Sequence, residues 1–304
     1  MATRKLNRVG KFVKKNYVGW LFISPLIIGI AVFTLYPILT SIYYSFMSYD
    51  GFIDPIFVGF DNYVRIFKGE EAFFWDSIVN TLVYTFVSIP ISMTLSYLLA
   101  LLLTKNSVSN QIFRILYYIP VLIPSIVIGF IWKNILDTNY GILNGVLMRL
   151  HLSPIDFFCR DNLMPTFIGI RLMSIGGGMI IWIAAFKGIP QTLYEAASLD
   201  GASRIRRFFA ITLPLSTPSI FYNLVTGIIG GFQVFATAYV LTDRLGGDGH
   251  ALFFVVMKIY NTAFVDLRFG VAMAMNWILF LIIAVLTVIS FRFNKWVYYG
   301  EDAQ

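Results

Sequence analysis

The residues able to do covalent or metal chemistry are few and scattered. Cys159 is the sole cysteine, and His151 and His250 stand far apart, so neither a metal-ligand cluster nor a serine, histidine and carboxylate constellation can be assembled from the sequence. No G-x-x-x-x-G-K-[S/T] phosphate loop occurs. Polar chemistry is concentrated instead in "YEAASLDGASRIRRFFAITLPL", where Glu195-Ala196-Ala197, Asp200-Gly201-Ala202, Arg204, Arg206, Arg207 and Leu213-Pro214 interrupt an otherwise apolar chain. Small residues beside a carboxylate permit close backbone approach by something else. A second set lies inside apolar runs: Ser174, Gly177, Gly227, Gly230, Gly231, Gln233, Val234 and Asn276. These small and hydrogen-bonding residues either line a path for an uncharged solute or pack helices together.

The elements that must position both sets follow from composition. Of 304 residues, 58% are hydrophobic and 13% charged, and the mean hydropathy is +0.75. Water-soluble domains carry about a quarter charged residues, so this is an integral membrane protein. Six runs have the roughly 20 apolar residues a spanning helix needs, over 18–46, 77–104, 113–135, 165–188, 215–241 and 269–292. They are continuously apolar, which excludes barrel strands, whose residues alternate. The run Ala251 to Phe264 is too short to span and is expected as a surface or re-entrant helix.

Charge sets the expected orientation. Six basic residues, Arg4, Lys5, Arg8, Lys11, Lys14 and Lys15, precede the first run, which is too long for a cleaved signal peptide and is read as a retained helix. The tail, the segments joining spans 2 to 3 and 4 to 5, and the C-terminus together hold 14 Lys and Arg against 4 Asp and Glu. The opposite side holds 9 basic and 12 acidic residues. By the positive-inside rule both termini are expected in the cytoplasm, and the net charge of +7 needs no nucleic acid to explain it. The expected layout is a basic tail over 1–16, a transmembrane domain over 17–296 with a cytoplasmic loop at 189–214, and a tail over 297–304.

Within that loop, Pro190 marks a helix start, "LYEAASL" supplies good helix formers, and Gly201 marks a stop, predicting a helix of two to three turns. A second amphipathic piece follows over 203–211, with Pro214 at the entry to span 5. Arg204, Arg206 and Arg207 can also reach lipid phosphates.

Glu195-Ala196-Ala197, Gly201, Ile211 and Leu213-Pro214 fill every position of the EAA motif of the membrane subunits of ATP-binding-cassette importers, which this chain therefore resembles. "FVGFDNYVRIF", "NTLVYT", "YYIPVLIPSIVIGFIW", "FQVFATAYVLT" and "FNKWVYY" are similar to the maltose-type sugar permeases; the subgroup's Gly-Gly-Pro after "YVLT" is replaced by "DRLGGDG". The resemblance implies an all-α, six-span permease of the type I importer fold in the inner membrane of a bacterium or archaeon. It implies a second permease subunit, two ATPase subunits that bind ATP and magnesium, and an extracytoplasmic solute-binding protein. In this reading Glu195, Ala196, Ala197, Asp200, Gly201, Ala202, Leu213 and Pro214 form a coupling element that transmits ATPase motion, and the chain itself is not an enzyme. Ser174, Gly177, Gly231 and Gln233 then fall at or beside the family's sugar contacts.

The energy source and cargo follow the same lines. Ionisable residues are almost absent from the spans, which disfavours an ion-coupled carrier, and the lack of a paired acid and base disfavours a membrane enzyme. Gln233, Asn276, Tyr239, Trp277 and Phe235 offer hydrogen bonds and aromatic surface. With no arginine expected near the middle of the spans, a neutral saccharide is favoured over glycerol phosphate, a polyamine or a peptide.

Overall fold

The computed structural model describes residues 17–298; the expected basic tail over 1–16, and the C-terminal tail beyond Tyr298, lie outside the described residues. The apolar runs fold as helices because, in a hydrocarbon core, only intra-helical bonding satisfies every backbone N–H and C=O. Among the described residues four helices are long and apolar enough to cross a membrane, and up to six if each of two bent pairs is one span.

The chain divides into two units. The first comprises α1 (Tyr17–Ser45), a two-stranded hairpin of β1 (Met47–Ser48) and β2 (Ile56–Phe57), α2 (Asp61–Phe67), and the start of the last long helix, α14 (Phe269–Arg292). The side-chain amide of Asn62 donates to the carbonyls of Ser45 and Met47, both at 2.9 Å, and so ties α2 to the end of α1. Gly270 permits its backbone to lie on the same strand, since a Cβ there would stand 2.0 Å from the Met47 carbonyl oxygen.

The second unit is built on α3 (Phe74–Leu103), against which pack α7 (Arg160–Leu172), α8 (Gly176–Lys187) and α11 (Thr217–Phe232). Between α3 and α7 run α4 (Val108–Tyr118, extended by a 3-10 turn to Leu122), α5 (Ser125–Ile135) and α6 (Ile142–Arg149). After α8 come α9 (Gln191–Leu199) and α10 (Arg204–Arg207), which continues through a π turn at Phe208–Thr212. The unit also contains α12 (Ala236–Leu241) and most of α13 (Val255–Phe264). The Arg114 guanidinium donates to the carbonyls of Leu103, Thr104 and Lys105, satisfying the open end of α3.

Among the described residues, two apolar clusters hold this unit. In one, Tyr97, Trp182 and Phe186 pack in edge-to-face contacts around Ala100, Met179 and Ile183. In the other, Tyr84 and Phe167 meet Leu252, Phe253, Phe254 and Met257. Of the surface or re-entrant helix expected at 251–264, the surface alternative is corrected: the segment is short, as its length dictated, but its first half is buried among aromatic rings. Three of the expected continuous spans are broken. Span 3 turns by 99° at Ile123-Pro124, where proline withholds an N–H, and span 4 bends by 45° between α7 and α8. Span 5 opens over Gln233–Phe235, where Phe235 adopts φ −148° and ψ −71°.

Candidate functional site

The breaks in the three spans face one region of the second unit. Unwound backbone at membrane depth is tolerated where it is enclosed by protein or lines a cavity. Here it does the latter. A cavity of about 470 Å³ is lined by Tyr84, Ser125, Phe167, Arg171, Ser174 and the opened stretch Gln233-Val234-Phe235, among others. A neighbouring cavity of about 280 Å³ shares Arg171 and Ser174 and is completed by residues including Ser96, Gly178, Asn223 and Gly227. The first volume falls in the range of about 300–1,000 Å³ common for small-molecule sites. Its wall combines hydroxyls, an amide and aromatic rings, and Phe235 continues into a ring cluster with Tyr239 at 4.9 Å and Tyr260 at 5.0 Å.

The residues singled out in the sequence divide into two groups. Ser174, Gly227, Gly230, Gln233 and Val234 line one or both cavities; Ser174 lies in the turn between α7 and α8. Gly231 is instead buried against α3: a Cβ there would stand 2.7 Å from Thr85 Oγ1. Gly227 is also close to α3, with Ile89 Cγ2 at 3.3 Å from the same construction, so the Gly227–Gly231 pair brings two helices together. Gly177 abuts Val121 and lines neither cavity. Asn276 is exposed on α14, and Trp277 donates its indole N–H to Ser41 Oγ at 3.2 Å within the first unit.

Arg171 requires a correction. The spans are expected to hold almost no ionisable residue and no arginine near their middle, but Arg171 falls inside the span expected at 165–188, occupies the penultimate position of α7 and lies on the wall of both cavities, where the helix breaks. Its carbon Cζ stands 5.9 Å from the Tyr84 ring centroid. Sequence reasoning also missed Ser96, which accepts the Trp182 indole N–H at 2.9 Å and faces the smaller cavity. The available signal was the charge or hydroxyl itself, interrupting an apolar run.

At the opposite end of α8, the polar stretch 189–214 forms α9 and α10. Gly201 has φ +72°, a conformation that glycine adopts without a Cβ penalty. It allows Gly201 N–H to bond the Ser198 carbonyl and Ala202 N–H the Ala197 carbonyl, a Schellman closure of α9. The Ser203 hydroxyl then accepts the Arg206 N–H and starts α10. Glu195, Ala196 and Asp200 are exposed, Ala197 and Ala202 are half-buried, and Leu199 and Ile205 are 90% and 72% exposed. Phe208 and Leu213, followed by the half-buried Pro214, pack against the Tyr97–Trp182 core. Tyr194 and Thr212 share a hydrogen bond of 2.9 Å that ties α9 to the anchored segment, and Tyr97 and Ser216 share another at 2.9 Å. The arrangement is an exposed, partly apolar face fixed at its far end to the Tyr97–Trp182 core.

Residues 92–298 match the model of a protein family described as binding-protein-dependent transport system inner membrane component. The chain is 34% identical over 295 residues to the probable ABC transporter permease protein YesP of Bacillus subtilis (strain 168), covering 96% of this chain and 95% of the relative. It is 31% identical to the probable starch degradation products transport system permease protein AmyD of Thermoanaerobacterium thermosulfurigenes, covering 92% and 94% of the two chains. Its fold is similar to that of a chain in the crystal structure of a bacterial alginate ABC transporter in complex with an alginate pentasaccharide-bound periplasmic protein. There the TM-score is 0.78 at 23% identity, covering 95% of this chain and 97% of the other.

Proposed function

The chain belongs to the family of binding-protein-dependent transport system inner membrane components, and from that premise we propose that it carries a sugar or oligosaccharide through the paired cavities by alternating access. It is a multi-pass membrane permease subunit of an ATP-driven importer and a transporter component rather than an enzyme. The observation that carries the cargo reading is the convergence of three helix breaks on a cavity lined by Ser174, Gln233 and aromatic rings. Broken helices of this kind mark solute sites in transporters, and saccharides need hydroxyl partners together with ring faces. The starch-product relative supports the same cargo class.

The 189–214 loop, in this proposal, couples the permease to ATPase subunits that bind ATP and magnesium. Support comes from the exposed face of Glu195, Ala196 and Leu199 and its attachment to the core through Tyr194, Phe208 and Leu213. A second permease subunit, two ATPases and an extracytoplasmic solute-binding protein complete the assembly, with both termini of the 17–296 domain and the loop in the cytoplasm, as the surplus of Lys and Arg on that side favours. Uptake by the complete complex in proteoliposomes tests the reading. Accumulation of an oligosaccharide that requires ATP and the binding protein is expected; saccharides excluded from uptake while another solute class is accumulated would overturn it.

A further inference from the structure

The charge of Arg171 meets no carboxylate on the walls of the two cavities it lines. Its guanidinium is permanently charged. Its Nε is buried without a hydrogen-bond partner, although a desolvated donor of this kind is costly to leave unpaired. Tyr84 meets the guanidinium with its ring and its hydroxyl, which offsets part of the charge but leaves Nε without a partner. An ionisable residue at membrane depth that faces a cavity is there for function more often than for stability. Its neighbours across the larger cavity, Ser174, Ser125 and Gln233, are suited to hydroxyl groups.

We propose that Arg171 receives an anionic group, a carboxylate or a sulfo group, carried on the transported saccharide. The planar fork accepts two oxygens of one such group side by side, a geometry a neutral hydroxyl cannot reproduce. The hydroxyl-rich remainder of the solute lies toward Gln233 and Ser174, with an apolar ring face against Phe235. This inference rests on the saccharide reading of the cavities and narrows it. It also reverses the preference for a neutral cargo drawn from the sequence, because the arginine that the preference required to be absent is on the wall.

The test is ATP-driven uptake by the assembled complex, with its own binding protein, of a hexuronate-terminated disaccharide, its methyl ester, and the matching sulfated and neutral disaccharides. The ester keeps every hydroxyl and removes the charge. The acid should be taken up about tenfold or more better than the ester, as expected for a charge-assisted contact in a desolvated site. Better uptake of the sulfated sugar than of the uronate assigns the group as sulfo, and the reverse assigns it as carboxylate. Arg171→Gln should bring the acid-to-ester ratio towards one, and Arg171→Lys, which keeps the charge without the fork, should give an intermediate ratio. Equal uptake of acid, ester and neutral sugar would overturn the inference and leave the saccharide reading intact, as would an acid-to-ester ratio that Arg171→Lys leaves unchanged. Exclusion of all four sugars would overturn both. If Arg171→Gln fails to assemble, the Arg171→Lys ratio decides.

Discussion

Gly231→Ala distinguishes helix packing from solute lining at the glycine pair of α11. The added Cβ would stand 2.7 Å from Thr85 Oγ1, 2.8 Å from its Cγ2 and 3.1 Å from its Cβ. Favourable carbon contacts lie at about 3.5–4.0 Å, so the overlap approaches an ångström. Thr85 is fully buried on α3 and cannot swing into solvent, which leaves displacement of α11 as the relief. Overpacking of this kind costs about 1–3 kcal/mol. Thr85→Ala deletes the two nearest atoms and also removes a buried hydroxyl that has no hydrogen-bond partner, so alone it should be close to neutral. Combined with Gly231→Ala it should restore most of the lost stability, giving a coupling of about 1–2 kcal/mol, within the span known for residues in contact. Thermal unfolding of the four purified complexes measures the cycle. Wild-type stability in Gly231→Ala, or strict additivity in the double variant, would refute the packing argument.

Gly230→Ala meets no atom within 4 Å and lies on the larger cavity, so it should keep full stability while lowering solute uptake, measured in the same vesicles. Leu199→Asp places a charge on an apolar side chain that is 90% exposed; membrane insertion should be unchanged and co-purification of the ATPase reduced several-fold, with Glu195→Ala acting in the same direction. Gly201→Ala encounters no neighbouring atom, so its cost is backbone strain alone, roughly 1 kcal/mol, and the ratio of solute moved to ATP hydrolysed should fall. Trp182→Phe removes the donor from the 2.9 Å bond to Ser96 in a buried position and should lower unfolding stability by about 1–2 kcal/mol.

What could be read in the sequence follows from the physics involved. Hydropathy located the four single helices and both bent pairs, because length and apolarity are one-dimensional properties of the chain. The glycine stop of α9 was legible for the same reason: Gly201 adopts a local left-handed turn. The bends were not equally accessible. Pro124 was a signal for the break in span 3 that the continuous reading of 113–135 passed over, whereas the bend between α7 and α8 contains no proline. It coincides with an approach of Gly176 to the Tyr117 carbonyl so close that a Cβ would stand 2.0 Å from the oxygen, which only tertiary packing reveals. By the 3.6-residue period Gly227, Gly230, Gly231 and Val234 share one helical face, which does not tell that Gly231 is buried against α3, that Gly230 meets only the cavity and that Gly227 does both. The shortness of the 251–264 segment was visible, whereas its burial depended on Tyr84 and Phe167, distant in sequence. Arg171 was counted by its sign and sidedness; its position at the break of α7 made it a wall residue.

The most direct measurement of the central claim uses Ser174→Cys in a background where Cys159→Ser has removed the native thiol. Ser174 lines both cavities at the turn between α7 and α8, so its accessibility reports which side they open to. Membrane-impermeant maleimide is applied from either side of proteoliposomes containing the complete complex, with and without trapped ATP. Alternating access predicts labelling from one side in one nucleotide state and from the other side in the other. Labelling from the same side in both states, or no labelling in either, would contradict a solute path through these cavities.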